Sequence, residues 1–185
     1  MLMDKRITLG QKKYAYVHLT LFDEGYKLLS RIKLVDFNLK KLADSSKYSL
    51  TTVYEHFNSS VEIFLIEFFV YLRKKRIEEY QQIYTLDEKE NIILMFTKFS
   101  EFMNDEFFLW TNLKAARVLI GDKKAEPFFL IDELVFQAEV INLKPELIEK
   151  ITNLFYVYEN SFLDNPSLRN DLNNKFIEDL TNNLN

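Results

Sequence analysis

Apolar positions recur at helical spacing along most of the chain, and polar breaks divide it into segments of helix length. In NLKKLAD (Asn38–Asp44), Leu39, Leu42 and Ala43 share one face at i, i+3 and i+4, with Asn38 placed as the N-cap. The polar turn SSKYS (Ser45–Ser49) follows, and its Ser49 caps LTTVYEHF (Leu50–Phe57). There Val53 and Phe57 point inward, leaving Thr51, Thr52, Tyr54 and Glu55 outside. Leu50 is ambiguous, since its spacing also permits packing on Val53 and Phe57. Asn58 or Ser59 then caps a helix that begins SVEIFLIEFFVYL and runs from Ser60 to about Tyr84. It is apolar on nearly every side as far as the cluster Arg73, Lys74, Lys75 and Arg76, which predicts a central helix.

The remaining segments read the same way. Leu86-Asp87 begins a helix to about Met103, and Asn104-Asp105 starts another through Ile120, ended by Gly121-Asp122. Glu126-Pro127 opens one to about Asn142, Pro145 sits in the first turn of one to about Leu163, and Asn165-Pro166-Ser167 precedes the last, Leu168–Leu184. At the N-terminus, Lys5, Arg6, Lys12 and Lys13 form a basic arm that grades into helix near Lys12. The pattern predicts an all-α chain of about nine helices, divided into an N-terminal part, 1–59, and a larger helical part, 60–185. Three Gly and three Pro in 185 residues disfavour a hairpin-rich β fold and suit helices joined by short loops.

Composition narrows the class. A chain that is 48% hydrophobic and 15% aromatic can bury a substantial core. Zero Cys excludes disulfides and thiolate chemistry. No N-terminal segment has the form of a secretory signal, and the longest strongly apolar run, Ile63–Leu72, is interrupted by Glu67. That run falls well short of the roughly 20 residues needed to span a bilayer. A cytoplasmic protein with no membrane partner is expected. Enzyme chemistry has little support: there are two His, His18 and His56, and Gly10, Gly25 and Gly121 are isolated rather than grouped in a phosphate loop. Glu78-Glu79 and Asp105-Glu106 are adjacent pairs, which do not share a helix face. No cofactor or metal is expected.

Leu42-Ala43 on one helix, the run Ser49-Leu50-Thr51-Thr52-Val53-Tyr54-Glu55-His56-Phe57, and Ser59 with Glu62-Ile63-Phe64 beyond it form one ungapped stretch. Over roughly 40 residues this stretch resembles the TetR family of bacterial transcriptional regulators. It departs from the family pattern where Lys33 and Ser46-Lys47 stand in place of glycine-containing turns and Ser60 replaces a lysine. The resemblance implies an N-terminal helix-turn-helix DNA-binding domain and a C-terminal helical domain for effector binding and dimerisation. It also implies a ligand-responsive homodimer, more often a repressor, on a palindromic operator in double-stranded DNA.

Charge runs in the same direction. Residues 1–60 hold ten Lys/Arg against six Asp/Glu, a net of +4, and residues 61–185 hold fourteen against twenty-two, a net of −8. A locally basic surface is what phosphate contacts require. The candidate DNA-facing residues are Lys47, Ser49, Leu50, Thr51, Thr52, Tyr54 and His56. The Thr hydroxyls reach bases or phosphates, and Leu50 or the Thr methyls reach thymine methyls. Tyr54, His56 and Lys47 are expected to hold phosphates, by the resemblance and by donor chemistry.

Two further expectations concern the C-terminal part. The resemblance implies a dimer made through the last two helices, whose stripes include Ile151, Phe155 and Tyr158, then Leu172, Phe176 and Leu180; these are the candidate dimer interface, with an intramolecular core as the alternative. Fourteen of the seventeen Phe and the sole Trp also lie beyond residue 60. Phe96, Phe99, Trp110 and Phe136 are the candidate lining of a pocket for a small hydrophobic or aromatic effector, with plain core packing as the alternative. Two other readings stay open: a dimeric DNA-binding structural or adaptor protein with no effector, and a helical binding module that has lost DNA affinity.

Overall fold

The structure is a computed structural model that describes residues 9–81, 88–121 and 144–184. All regular structure among these residues is helical, so the all-α expectation holds. There are eight α-helices among them: α1 (Leu9–Leu29), α2 (Leu39–Ser46), α3 (Leu50–Phe57), α4 (Val61–Gln81), α5 (Glu88–Asp105), α6 (Phe107–Ile120), α7 (Pro145–Asp164) and α8 (Arg169–Leu184). The helix expected at 126–142, with Phe136, and the arm residues Lys5 and Arg6 lie outside the described residues. None of the described helices is long and apolar enough to cross a membrane.

The chain divides into two compact units, and the division is discontinuous in sequence. Met1–Tyr71 and Phe108–Lys124 form the first; Leu72–Phe107 and Ala125–Asn185 form the second. α6 thus belongs almost wholly with the N-terminal helices.

Local chemistry sets the helix ends of the first unit. Asn38 Oδ1 accepts from the Lys41 backbone N–H at 2.9 Å, and Ser49 Oγ accepts from Thr52 N–H at 3.1 Å, so both expected caps are made. The next cap differs from expectation. Asn58 and Ser59 both adopt positive φ, 49° and 58°, and it is Ser60 whose hydroxyl accepts from Ile63 N–H at 3.3 Å to start α4. α1 begins at Leu9, three residues before the expected Lys12.

The core of the first unit is a chain of aromatic rings. Phe64 of α4, fully buried, lies 5.0 Å from Phe37, 5.1 Å from Phe57, 5.3 Å from Phe68 and 5.9 Å from Phe22, centroid to centroid. α1 approaches this ring closely at Gly25, where a Cβ would lie 2.4 Å from Phe64 Cζ. Two effects oppose each other in Gly25→Ala: alanine favours a helix by about 1 kcal/mol, and forcing a methyl into a packed core costs about 1–3 kcal/mol. The buried ring has little room to retreat, so the variant should melt at a lower temperature than the parent. A higher melting temperature would mean that Phe64 can move aside.

Polar contacts brace the same unit. Ser45 of α2 donates to Glu24 of α1 at 2.9 Å, and Tyr71 of α4 donates to Asp23 of α1 at 2.6 Å. The Lys27 ammonium bonded to Glu24 holds that carboxyl below the usual range, with the Ser45 hydroxyl acting in the same direction. From α6, the buried Asn112 reaches the connection between α1 and α2. Its amide donates to the Leu29 and Ile32 carbonyls, both at 2.7 Å, and its oxygen accepts from Leu34 N–H at 2.8 Å. α6 itself ends at Gly121, whose φ of 78° is the left-handed conformation in which glycine escapes the Cβ penalty.

In the second unit, α7 packs on α8, and α5 packs on α8. Phe96 lies 5.7 Å from Phe155 and 5.4 Å from Phe176, and Tyr158 stacks on Phe176 at 4.3 Å. The Tyr158 hydroxyl donates to Asn173 Oδ1, and burial pushes its pKa up to about 12. The Arg169 guanidinium lies over the Phe107 ring at 3.5 Å.

Candidate nucleic-acid interface

α2 and α3 are short helices packed together and joined by the three residues Lys47–Ser49. The apolar positions of both point inward: Leu39, Leu42 and Ala43 from α2, Val53 and Phe57 from α3, all buried. The turn is made without glycine. Lys47 adopts the left-handed conformation itself, φ 63° and ψ 12°, with its side chain exposed. A non-glycine residue is uncommon there, and the result is an exposed lysine at the mouth of α3.

The outer face of α3 comprises Thr51, Tyr54 and Glu55, all exposed, with Ser49 exposed at its N-terminus and Leu50 and Thr52 half-buried. Ser49 and Thr52 are coupled, their hydroxyl oxygens lying 2.8 Å apart. The Thr52 hydroxyl is thereby held in place by the cap. Lys40 and Lys41 are exposed on α2, and Lys12 and Lys13 on α1. The first turns of α2 and α3 carry no acidic side chain, so their backbone N–H groups are not opposed by a local carboxylate.

His56 is placed differently from the phosphate-holding position expected for it. It is buried, with 8% exposure, because α1 covers it: Tyr14 stacks on its ring at 4.1 Å, and its Nδ1 lies 3.0 Å from Nδ1 of His18. Counting along α3 leaves His56 near the boundary of the outer face, and only the 38-residue jump back to His18 decides its side. His18 in turn places Nε2 at 3.1 Å from a carboxylate oxygen of Glu67 on α4. Burial lowers the pKa of both histidines, and His18 lowers that of His56 further while Glu55 raises it. Burial raises that of Glu67.

Comparison with family models, curated proteins and solved structures gives no match to this chain.

The remaining candidate residues are distributed over the two units. Phe96 and Phe99 are buried among α5, α7 and α8 in the second unit, whereas Trp110 is buried in the first. Packing has consumed these three rings, and Phe136 lies outside the described residues. The expected dimer stripes are likewise core: Ile151, Phe155, Tyr158, Phe176 and Leu180 are each at most 5% exposed, because α7 and α8 turn those faces toward each other and toward α5. Only Leu172 stays half-buried, in a surface groove of about 160 Å³ lined also by Leu154, Val157 and Ser161. Outward on α7 are Tyr156 and Val157, 50% and 66% exposed. Sequence reasoning passed over His18 and Asn112, whose partners lie 38 and about 80 residues away. The one signal available was that His18 is one of only two histidines.

Proposed function

We propose that this chain is a sequence-reading DNA-binding regulator of the helix-turn-helix type, acting as a homodimer. One observation carries the reading: a Ser49-capped helix with a buried apolar side presents Thr51 and Tyr54 outward beside the exposed cation of Lys47. Such a helix fits the major groove by its N-terminal residues. The Thr51 hydroxyl and methyl then meet base edges, Glu55 accepts from a cytosine amine, and Tyr54 with Lys47 holds phosphates. Lys12, Lys13, Lys40 and Lys41 add to the positive field. One helix reads few base pairs, so specificity calls for two copies, and the exposed Tyr156 and Val157 of α7 are among the apolar residues offered for their contact. The effector rests on the resemblance to the TetR family and is left out of this proposal.

The test is a selection of bound duplexes from a randomised pool by the purified protein. An inverted repeat is expected, and its binding should weaken steeply with salt. Thr51→Ala should then lower affinity for the selected duplex by about 1–3 kcal/mol and leave random duplex almost unaffected. A direct repeat or a single half-site would overturn the symmetric dimer. A pool that stays random through the selection would overturn sequence reading.

A further inference from the structure

The two histidines of this chain meet each other, and they do so between the helix assigned to the DNA groove and its support. Nδ1 of His18 on α1 lies 3.0 Å from Nδ1 of His56 on α3, Nε2 of His18 lies 3.1 Å from Glu67 on α4, and Tyr14 on α1 covers His56. With Glu67 the cluster spans three helices of the first unit. The geometry points to a proton-operated latch, in which the His18–His56 contact ties α3 to α1 while the two rings hold at most one positive charge and releases it when both are protonated. This inference rests on the DNA-binding reading for its consequence, though not for its structure.

Proton counting leads to this behaviour. A hydrogen bond between two Nδ1 atoms needs one of them to donate and the other to accept. The neutral pair satisfies that with His56 donating to His18, whose Nε2–H is left 3.1 Å from a Glu67 carboxylate oxygen. One added proton is also accommodated, since cationic His18 then donates from Nδ1 to His56 and keeps its charge beside the Glu67 carboxylate. A second proton leaves no acceptor. Two N–H groups then face each other 3.0 Å apart on two like charges, and the pair must separate.

The surroundings favour the closed state near neutral pH. The titratable groups facing the pair are Tyr14 from α1, Glu67 from α4 and Glu55 on α3 itself, and Phe22 and Phe57 close the apolar side. Both histidines have pKa values below 6.5 through burial, so the opened state binds more protons than the closed one. The stabilisation from the pair is therefore complete above about pH 6.5 and is lost as the pH falls through their lowered values. Glu67 runs the other way. Its carboxyl keeps its proton above the usual range, so its own contribution grows on acidification and is lost as the pH rises through its raised value.

Nuclear magnetic resonance on the full chain tests the latch directly. The imidazole nitrogens should titrate in two separate steps, and the exchange protection of α3 amides should fall at least about fivefold across the second, the lower end of ordinary coupling between two sites. In His18→Gln, whose amide cannot charge, α3 protection should fall less between pH 8 and 5 than in the parent chain, with only His56 left to titrate. In Glu67→Gln, a second variant should His18→Gln fail to fold, the lost anion should move the second step to lower pH. Independent titration of the two rings, or α3 protection that does not change with pH in the parent chain, would overturn the latch. Duplex binding separates the two ideas. The selected duplex should be released on acidification by the parent and retained by His18→Gln, opposite to the strengthening that added positive charge gives any non-specific binder. A duplex bound equally at every pH overturns the latch and spares the regulator. A titrating latch in a chain that selects no duplex overturns the regulator and spares the latch.

Discussion

Phe64→Ala should remove about 3–5 kcal/mol from the stability of the first unit, the ordinary cost of emptying a buried aromatic site. Four phenylalanine rings from α1, α3, α4 and the α1–α2 connection meet on Phe64, and no solvent reaches it. The neighbours are themselves rigid rings, which collapse poorly into a void, so the cost belongs in the upper part of that range. Domains commonly have only about 5–15 kcal/mol in total, which makes the loss a large fraction. Trp110, buried in the same unit, is the sole tryptophan and reports on it by fluorescence. In urea its transition should move to markedly lower denaturant. A shift smaller than that of Gly25→Ala would show that Phe64 is not the centre of this core.

Asn112→Asp is the second large effect, expected at about 3–5 kcal/mol, the size associated with an uncompensated buried charge. The substitution preserves shape and reverses polarity. The amide now donates to two carbonyls, and the carboxylate would aim its oxygen at those of Leu29 and Ile32 while keeping only the Leu34 N–H. Asn112→Leu, which removes the bonds without adding charge, should cost less. Urea melts of the three proteins check the order, and an aspartate variant as stable as the leucine one would mean that solvent enters the site. Since the connection held by Asn112 leads directly into α2, duplex affinity should fall along with stability in both variants.

The elements that were legible in the sequence are those decided within a few residues. Asn38 and Ser49 cap α2 and α3 because a short polar side chain needs only the backbone three positions ahead, and Val53 and Phe57 face inward because helical spacing leaves them no other side. What depends on distant partners was not legible. His56 changes role because α1 lies over it, and the Ile151, Phe155 and Tyr158 stripe changes role because α8 lies against it. Helical spacing states that a face is apolar and leaves open what it meets. Asn112 carries no local signature at all: a lone asparagine inside an apolar helix is unremarkable until the carbonyls opposite it are known.

The return of Phe108–Lys124 to the first unit has a consequence for the order of synthesis. A ribosome releases α1, α2 and α3 long before α6, and in that interval the Leu34 N–H and the carbonyls of Leu29 and Ile32 have water for a partner instead of Asn112. The α1–α2 connection gains its Asn112 partner only after α6 has left the exit tunnel. A chain cut ahead of α6 therefore keeps the Phe64 ring cluster but lacks the Asn112 side chain that satisfies the α1–α2 connection.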